Sequence, residues 1–357
     1  MNVKNIIDIH KGVIPTTWVE RNSLYKEYIK LTDEEASSLV DLVLNEANRY
    51  IEDVLSKVST FTNYEINDNQ YLQLIQKRVL YPSEIYRHAS NLITEKLIEL
   101  FGRVNAGILL SCISWIKNER ALEFFQNLER VQPNWQKELN IPAKLFSQCA
   151  AWNIENNNLN KLFYDESFRL IQSDFKEIDE NLKTFLHGND TCKCCNQTLT
   201  TVFKFKKELL NITNFRLDEL DISTCLNCIG YVTIYTKIDD NGKSNWHNST
   251  RIHGFNDVYI MSEIPENLLK ISNEKWKPTY SINQPFSILG GYPNWIDDFQ
   301  FPNCPDCNKN MKFLGQFQGS DFYDDENGKF SWIFAEGAYY FFICEHCLVT
   351  ASFYQQS

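Results

Sequence analysis

Four Cys-x-x-Cys pairs in the C-terminal half are the residues of this chain whose type and spacing most clearly indicate chemistry. The pairs are Cys192/Cys195, Cys225/Cys228, Cys304/Cys307 and Cys344/Cys347. Two residues between the cysteines let one tight turn present both sulfurs to one ion, and two such turns complete a tetrahedron. Taken in chain order, the pairs predict two metal centres: a first centre from the pairs at 192 and 225, and a second centre from the pairs at 304 and 344.

A four-thiolate centre is closed, so its expected role is to stabilise a fold and not to activate a substrate. Zinc is the expected metal at both centres, although four thiolates also suit iron. Packed free thiols and disulfide exchange are the alternatives. Cys194 is a possible replacement for Cys192, and His346 is a possible ligand inside the last pair. Cys112 and Cys149 fall in helical patterns and are expected to be core thiols.

The two centres are also expected to belong to an internal repeat. Asn196 and Asn308 each follow the second cysteine of a pair, and Phe205 and Phe317 each lie ten residues after that cysteine. In both halves a later Cys-x-x-Cys leads into a strand-like segment. The sequence therefore predicts a duplicated unit of knuckle, strand, excursion, knuckle and strand, where a knuckle is one Cys-x-x-Cys turn.

The elements around these motifs change character along the chain. Apolar residues recur at helical spacing up to about 186, with Thr32 and Glu35 predicting a capping box. A helix is expected from Pro82 to Phe101, and further helical segments are expected near 68–80, 105–117, 119–130, 142–154 and 159–186. After His187, alternating β-branched and aromatic residues predict strands. The expected fold class is α+β, with a helical bundle or stacked helix pairs over 1–187 and a β-rich, zinc-stapled domain over 188–357.

Composition limits the classes of partner. The chain has 357 residues, a formal charge of −11 and eleven cysteines. This acidic balance argues against nucleic-acid binding, which needs Lys and Arg against phosphates, and suits either a basic protein partner or no dedicated partner. Residues 1–10 predict no signal peptide, and the apolar stretch 106–116 is too short to span a bilayer. Reduced, metal-binding thiols and a cytoplasmic location are therefore expected.

No familiar catalytic or nucleotide-binding motif is present in the sequence. The segment from His247 through Arg251 to His253 is the one candidate for an unrecognised active site, with a polar hairpin or loop as the alternative. Acidic residues at 174–180 and 321–326 are candidates for contact with a basic partner, although the second run also has the composition of a solvated turn.

The C-terminal part resembles a known family. Residues 286–295 read Phe-Ser-Ile-Leu-Gly-Gly-Tyr-Pro-Asn-Trp, 301–307 read Phe-Pro-Asn-Cys-Pro-Asp-Cys, and 311–316 read Met-Lys-Phe-Leu-Gly-Gln. This order, closed by the aromatic stretch 340–354, resembles the bacterial YwqG-like family, also labelled DUF1963. The resemblance implies a β-rich fold with zinc knuckles in some members and no established activity, and the residues before 187 do not share it.

Some members of that family occur beside secreted toxins as immunity proteins. The resemblance, the acidic charge and the missing catalytic motifs together favour an immunity protein that binds a cognate toxin and occludes its active site. The alternatives are an enzyme with a site near His247–His253 and a zinc-containing scaffold without a toxin partner. A Gly290-Gly291 turn is expected to be structural, with Tyr292 and Trp295 packed over the metal knuckle.

Overall fold

The computed structural model describes residues 3–14, 24–45, 51–131, 133–173, 179–213, 215–252, 264–273, 287–318 and 337–356. These residues form two compact units, one up to Asn160 and one from Lys161 onward. The first is helical and the second is β-rich, which confirms the α+β class. The boundary predicted at 187/188 falls inside a strand of the second unit.

Short helices build the first unit. They are α1 (Val3–His10), α2 (Tyr25–Tyr28), α3 (Asp33–Asn45), α4 (Ile51–Phe61), α5 (Asp68–Gln76), α6 (Asn91–Ile98), α7 (Ala106–Ile116) and α8 (Glu119–Val131), with 3₁₀ turns at Ser83–Tyr86, Asn134–Glu138 and Ala143–Ala150. A small hairpin of β1 (Trp152–Glu155) and β2 (Asn158–Lys161) follows. The predicted capping box opens α3: Glu35 N–H donates to Thr32 Oγ1 at 3.2 Å, and Thr32 N–H donates to Glu35 Oε2 at 3.0 Å.

The single helix predicted from Pro82 to Phe101 is wrong. A 3₁₀ turn ends at Tyr86, and α6 begins at Asn91 after His88 adopts a left-handed φ of 67°. The Tyr71 hydroxyl supplies the reason, because it lies 3.0 Å from the Ile85 carbonyl and 2.7 Å from the Arg87 carbonyl. The hydroxyl has one proton, so it satisfies one of these two carbonyls at a time and offers that carbonyl an alternative to a helical amide where the helix breaks. Most of the apolar residues of the segment stay buried.

Large aromatic side chains form the centre of the helical core. Trp115 and Trp152 are buried, and Trp152 Nε1 donates to the Ser114 carbonyl at 2.8 Å. Cys112 is buried beside them and donates its thiol to the Leu80 carbonyl, which confirms its role as a core thiol.

Three-stranded and eight-stranded antiparallel sheets build the second unit. The strands are β3 (Tyr164–Gln172), β4 (Leu182–Thr191), β5 (Thr198–Lys206), β6 (Glu219–Thr224), β7 (Ile234–Ile238), β8 (Ser244–Trp246), β9 (Leu269–Ile271), β10 (Ile288–Gly291), β11 (Lys312–Gln318), β12 (Ala338–Cys344) and β13 (Val349–Gln355). The smaller sheet has the order β4-β5-β6, and the larger has the order β8-β7-β13-β12-β11-β10-β3-β9. One apolar core includes residues of both sheets.

The described residues of 159–186 lie mostly in the strands β2, β3 and β4, so the helix predicted there is wrong. Tyr164, Ser167 and Leu170 are the buried positions of β3, and their spacing of three imitates a helix. A β-bulge accounts for the first of these two intervals: Gly290 of β10 pairs with Ser167, but Gly291 pairs with Tyr164. The bulge shifts the alternation of the strand, so the period-2 signal is lost from the sequence.

Strand β4 protects both edges of the larger sheet. Near the β9 edge, the Thr184 hydroxyl donates to the Leu269 carbonyl and accepts from the Leu269 N–H, both at 3.0 Å. Near the β8 edge, Trp246 N–H donates to Asp190 Oδ2 at 2.7 Å. These bonds satisfy edge-strand backbone groups that otherwise remain open to pairing with another chain.

Candidate metal centres

The structure brings the predicted cysteines together as two groups of four. Within each group the four sulfur atoms lie within 4.8 Å of one another. The Cys192–Cys228, Cys195–Cys225 and Cys307–Cys344 sulfurs are 3.8, 3.5 and 3.6 Å apart. A tetrahedron with metal–sulfur bonds of about 2.3 Å has edges of about 3.8 Å, so both groups fit one metal ion each.

Backbone hydrogen bonds shape the first knuckle of each centre in the same way. Cys192 N–H donates to the Gln197 carbonyl and Asn196 N–H donates to the Cys192 carbonyl, both at 2.8 Å. The same two bonds recur between Cys304 and Lys309 and between Asn308 and Cys304, also at 2.8 Å.

The repeated asparagine has a conformational reason. Asn196 has φ 61° and Asn308 has φ 60°, so both lie in the left-handed region. Asparagine is one of the few residues other than glycine that adopt this region readily. The sequence repeat therefore marks the position where each knuckle turns into its following strand.

The wider repeat holds only in part. In each half a strand follows the first knuckle, a second strand enters the second knuckle, and a third follows it. Strands β11, β12 and β13 are neighbours in one sheet, whereas β6 and β7 belong to different sheets. The two halves thus share knuckle geometry and their first strand pair but not the position of the third strand.

In each group of four cysteines, one thiol has a lowered pKa and ionises more readily than its neighbours. Hydrogen bonds from the Cys225 and Cys228 thiols hold the pKa of Cys192 far below its usual value, and the same pairing raises the pKa of Cys228. At the second centre, burial opposes ionisation of Cys307, but the Lys309 N–H and neighbouring thiols lower its pKa overall. A cysteine must be deprotonated to bind a metal ion, so a thiol that ionises readily among converging sulfurs is suited to be a metal ligand.

The alternative ligands stay outside both groups. Cys194 donates its backbone N–H to the Cys192 sulfur at 3.3 Å, so its amide supports a candidate ligand while its own thiol is not among the four converging sulfurs. His346 is likewise not among the four groups that converge at the second centre. Five of the eight candidate ligands are buried, and the other three are only partly buried: Cys195, Cys307 and Cys347.

Both ring nitrogens of His247 take part in hydrogen bonds. Its Nδ1 accepts from the Ser249 N–H at 3.2 Å, which leaves Nε2 to donate to Asp306 Oδ1 at 3.1 Å. A neutral imidazole in this tautomer has no free lone pair for proton abstraction. Arg251 is exposed, and His253 lies outside the described residues. His247 also lines an open cleft of about 510 Å³ beside Cys347.

The Gly-Gly segment that carries the family resemblance has a packing role. A Cβ on Gly290 would lie 2.1 Å from the Glu166 carbonyl oxygen, and its φ is +74°, so only glycine fits. Trp295 stacks on Tyr340 at a ring-centroid distance of 4.9 Å, and Tyr292 stacks on Phe163 at 4.0 Å. These rings pack on other aromatic residues of the second unit, and Trp295 also contacts Phe301, three residues before Cys304, at a ring-centroid distance of 5.4 Å.

The remaining candidate residues are acidic. The run 321–326 and residues 174–178 lie outside the described residues. Glu180 is exposed and Asp179 is half-buried next to β4. Within the described part of the chain, no helix is both long and apolar enough to cross a bilayer.

Fold and site together define a mixed α+β protein with two tetracysteine centres. One curated relative is the uncharacterised protein YpfL of Salmonella typhimurium, which is 25% identical over 355 residues, covering 95% of this chain and 80% of the relative. No family model matches the chain. No solved structure matches it either.

Proposed function

We propose that this chain is a zinc-stapled binding protein, and that it acts as an immunity protein whose partner is a cognate toxin. The convergence of four sulfurs at each of two centres is the observation that carries the zinc assignment, because a closed tetrahedral thiolate set suits zinc and offers it no substrate position. Metal at such centres stabilises the fold and leaves the protein surface to recognise a partner.

Charge supports the choice of partner. Asp and Glu number 46 against 35 Lys and Arg, so the surface attracts a basic protein and repels phosphate backbones. The mechanism is occlusion: an acidic surface covers the active cleft or substrate groove of the toxin, and charge complementarity speeds the encounter. The segments 174–180 and 321–326 are the proposed contact regions.

Both ring nitrogens of His247 are hydrogen-bonded, which favours a structural role for this side chain over a catalytic one. Its Nε2 is committed to Asp306, and Arg251 beside it is exposed. A binding role is therefore the better proposal, and a scaffold without a toxin partner becomes an outcome of the test.

The test begins with affinity purification of the tagged full chain from its native cells at low and moderate salt, followed by mass spectrometry and metal analysis. We expect two zinc ions per chain and one stoichiometric basic partner. That partner, expressed alone, should arrest bacterial growth, and co-expression of this chain should restore it.

Charge reversal tests the acidic contact. Asp179→Lys/Glu180→Lys should weaken partner binding, whereas Glu52→Lys/Glu65→Lys, at exposed positions of the helical unit, should not. A partner that is harmless when expressed alone would replace the immunity role with a scaffold role. Equal affinity of both variants would refute a contact through 174–180.

A further inference from the structure

Three consecutive residues, Trp246, His247 and Asn248, join the knuckles of both metal centres. On one side, Trp246 N–H donates to Asp190 Oδ2, two residues before Cys192. Asn248 Oδ1 accepts from Lys193, inside the same knuckle, at 2.8 Å.

On the other side, His247 Nε2 donates to Asp306, which lies between Cys304 and Cys307. Lys237 Nζ binds the other oxygen of the Asp306 carboxylate at 2.7 Å. Asp306 is therefore held from β7 and from the 246–248 segment at once, and its knuckle cannot shift without disturbing both.

A buried chain of hydroxyls fixes the strand from which this segment extends. Ser244 of β8 bonds Thr236 of β7 at 2.7 Å, and Thr236 bonds Thr350 of β13 at 2.5 Å. All three side chains are buried. Strand β13 begins directly after Cys347 and the turn residue Leu348, so the hydroxyl chain adds a second connection to the second centre.

We propose that the segment 246–248 positions both knuckles and thereby couples metal binding at the two centres. The proposal rests on the metal binding assigned under the proposed function. Metal at one centre fixes its knuckle, and the knuckle then fixes the segment through Asp306 or through Asp190 and Lys193. The other knuckle is ordered before its own metal arrives, so the second ion binds at a smaller cost in conformational entropy.

The residues 246–248 are positioning residues, since none of them contributes a sulfur to either centre. Their removal should change how the two ions are distributed among chains more than it changes the fold. A purely structural role would lower the affinity of one centre and leave the coupling between the two centres unchanged.

The experiment is a zinc titration of the metal-free full chain followed by native mass spectrometry. At half-loading, the ratio of one-zinc chains to the sum of metal-free and two-zinc chains depends on the coupling and on the difference in affinity between the two centres. Titration of Cys225→Ser/Cys228→Ser and of Cys344→Ser/Cys347→Ser, each made in the same background, gives the affinity of one centre with the other disabled, and the ratio is corrected for that difference. Loss of a tenfold coupling raises this ratio about threefold. We expect that rise for His247→Ala/Asn248→Ala relative to the unmodified chain.

Two further variants separate positioning from general damage. His247→Gln keeps a donor toward Asp306 and should retain most of the coupling. Lys237→Ala removes a contact to the same carboxylate that lies outside the segment, so it should lower zinc affinity at the second centre with little change in the ratio once it is corrected for the affinity of each centre. Far-ultraviolet circular dichroism checks that each chain is folded.

Equal ratios in the unmodified chain and in His247→Ala/Asn248→Ala would overturn the coupling and leave metal binding intact. A chain that binds no zinc would overturn the metal assignment itself, and the coupling with it. If Lys237→Ala raised the ratio as much as His247→Ala/Asn248→Ala, the coupling would not belong to the 246–248 segment.

Discussion

Glu84 gives the sharpest prediction about stability. This carboxyl group is fully buried in the 3₁₀ turn after the Tyr81–Pro82 bond, and its Oε1 accepts from Ser56 Oγ at 2.9 Å. Its Oε2 is buried with no hydrogen-bond partner among the described residues. Burial raises the pKa of Glu84 from 4.5 to about 7. We expect Glu84→Gln to stabilise the helical unit at neutral and higher pH.

The sign follows from proton linkage. Below pH 4.5 the group is protonated in both states, so the raised pKa has no effect on the free energy of unfolding. Between pH 4.5 and 7 the unfolded chain releases the proton while the folded chain keeps it, so stability falls as pH rises. At 1.36 kcal/mol per pKa unit, the loss above pH 7 totals about 3 kcal/mol. Glutamine has a similar shape and no charge, so it removes this loss.

The assay is urea unfolding followed by circular dichroism at 222 nm, which reports mainly the helical unit, at several pH values from 4 to 8.5. The stability gain of Glu84→Gln over the unmodified chain should be small at pH 4 and rise to about 3 kcal/mol above pH 7. Ser56→Ala removes a hydrogen bond that lowers the pKa, so it should move the window to higher pH. Glu99→Gln, at a side chain 60% exposed, is the surface control. A gain from Glu84→Gln that stays constant across this pH range would refute the reasoning.

Three other changes test the β unit. Removal of metal with a strong chelator should release two zinc ions per chain, measured by metal analysis, and lower the thermal midpoint of the β unit, measured by calorimetry. An unchanged midpoint would argue against structural metal. Thr184→Val removes both side-chain bonds to Leu269 and should cost about 1–3 kcal/mol of unfolding free energy, with Thr184→Ser as the control that keeps the hydroxyl. Gly290→Ala places a methyl group against the Glu166 carbonyl at a positive φ and should cost more than about 1 kcal/mol, measured by urea unfolding, whereas Gly230→Ala, where a Cβ has open space, should cost less.

Local signals in the sequence were the ones that predicted structure well. The capping box at Thr32 and Glu35 needs only three residues of spacing, and it forms. The Cys-x-x-Cys pairs are also local, because one turn decides whether two sulfurs can face one ion. The repeated Asn196 and Asn308 already marked the turn that ends each first knuckle, although the sequence alone did not state the left-handed conformation behind it.

Predictions were wrong where the structure of a segment depends on contacts with residues elsewhere in the chain. The helix expected over Pro82–Phe101 breaks where the Tyr71 hydroxyl lies within hydrogen-bond distance of the Ile85 and Arg87 carbonyls. The strand β3 looked helical in part because a bulge against Gly290 and Gly291 changed its alternation between Tyr164 and Ser167. Neither Tyr71 nor the glycine pair is close in sequence to the element it alters.

The sequence by itself determined the α+β order of elements, the cysteines suited to metal and the acidic character of the chain, because each depends on spacing or composition alone. Only the tertiary structure decided which sulfurs converge, how His247 is tied to Asp306, and that the segment 246–248 reaches the knuckles of both centres. The His247–Asp306 and Lys193–Asn248 contacts join residues more than fifty positions apart, and sheet order, which no local pattern encodes, brings them within hydrogen-bond distance.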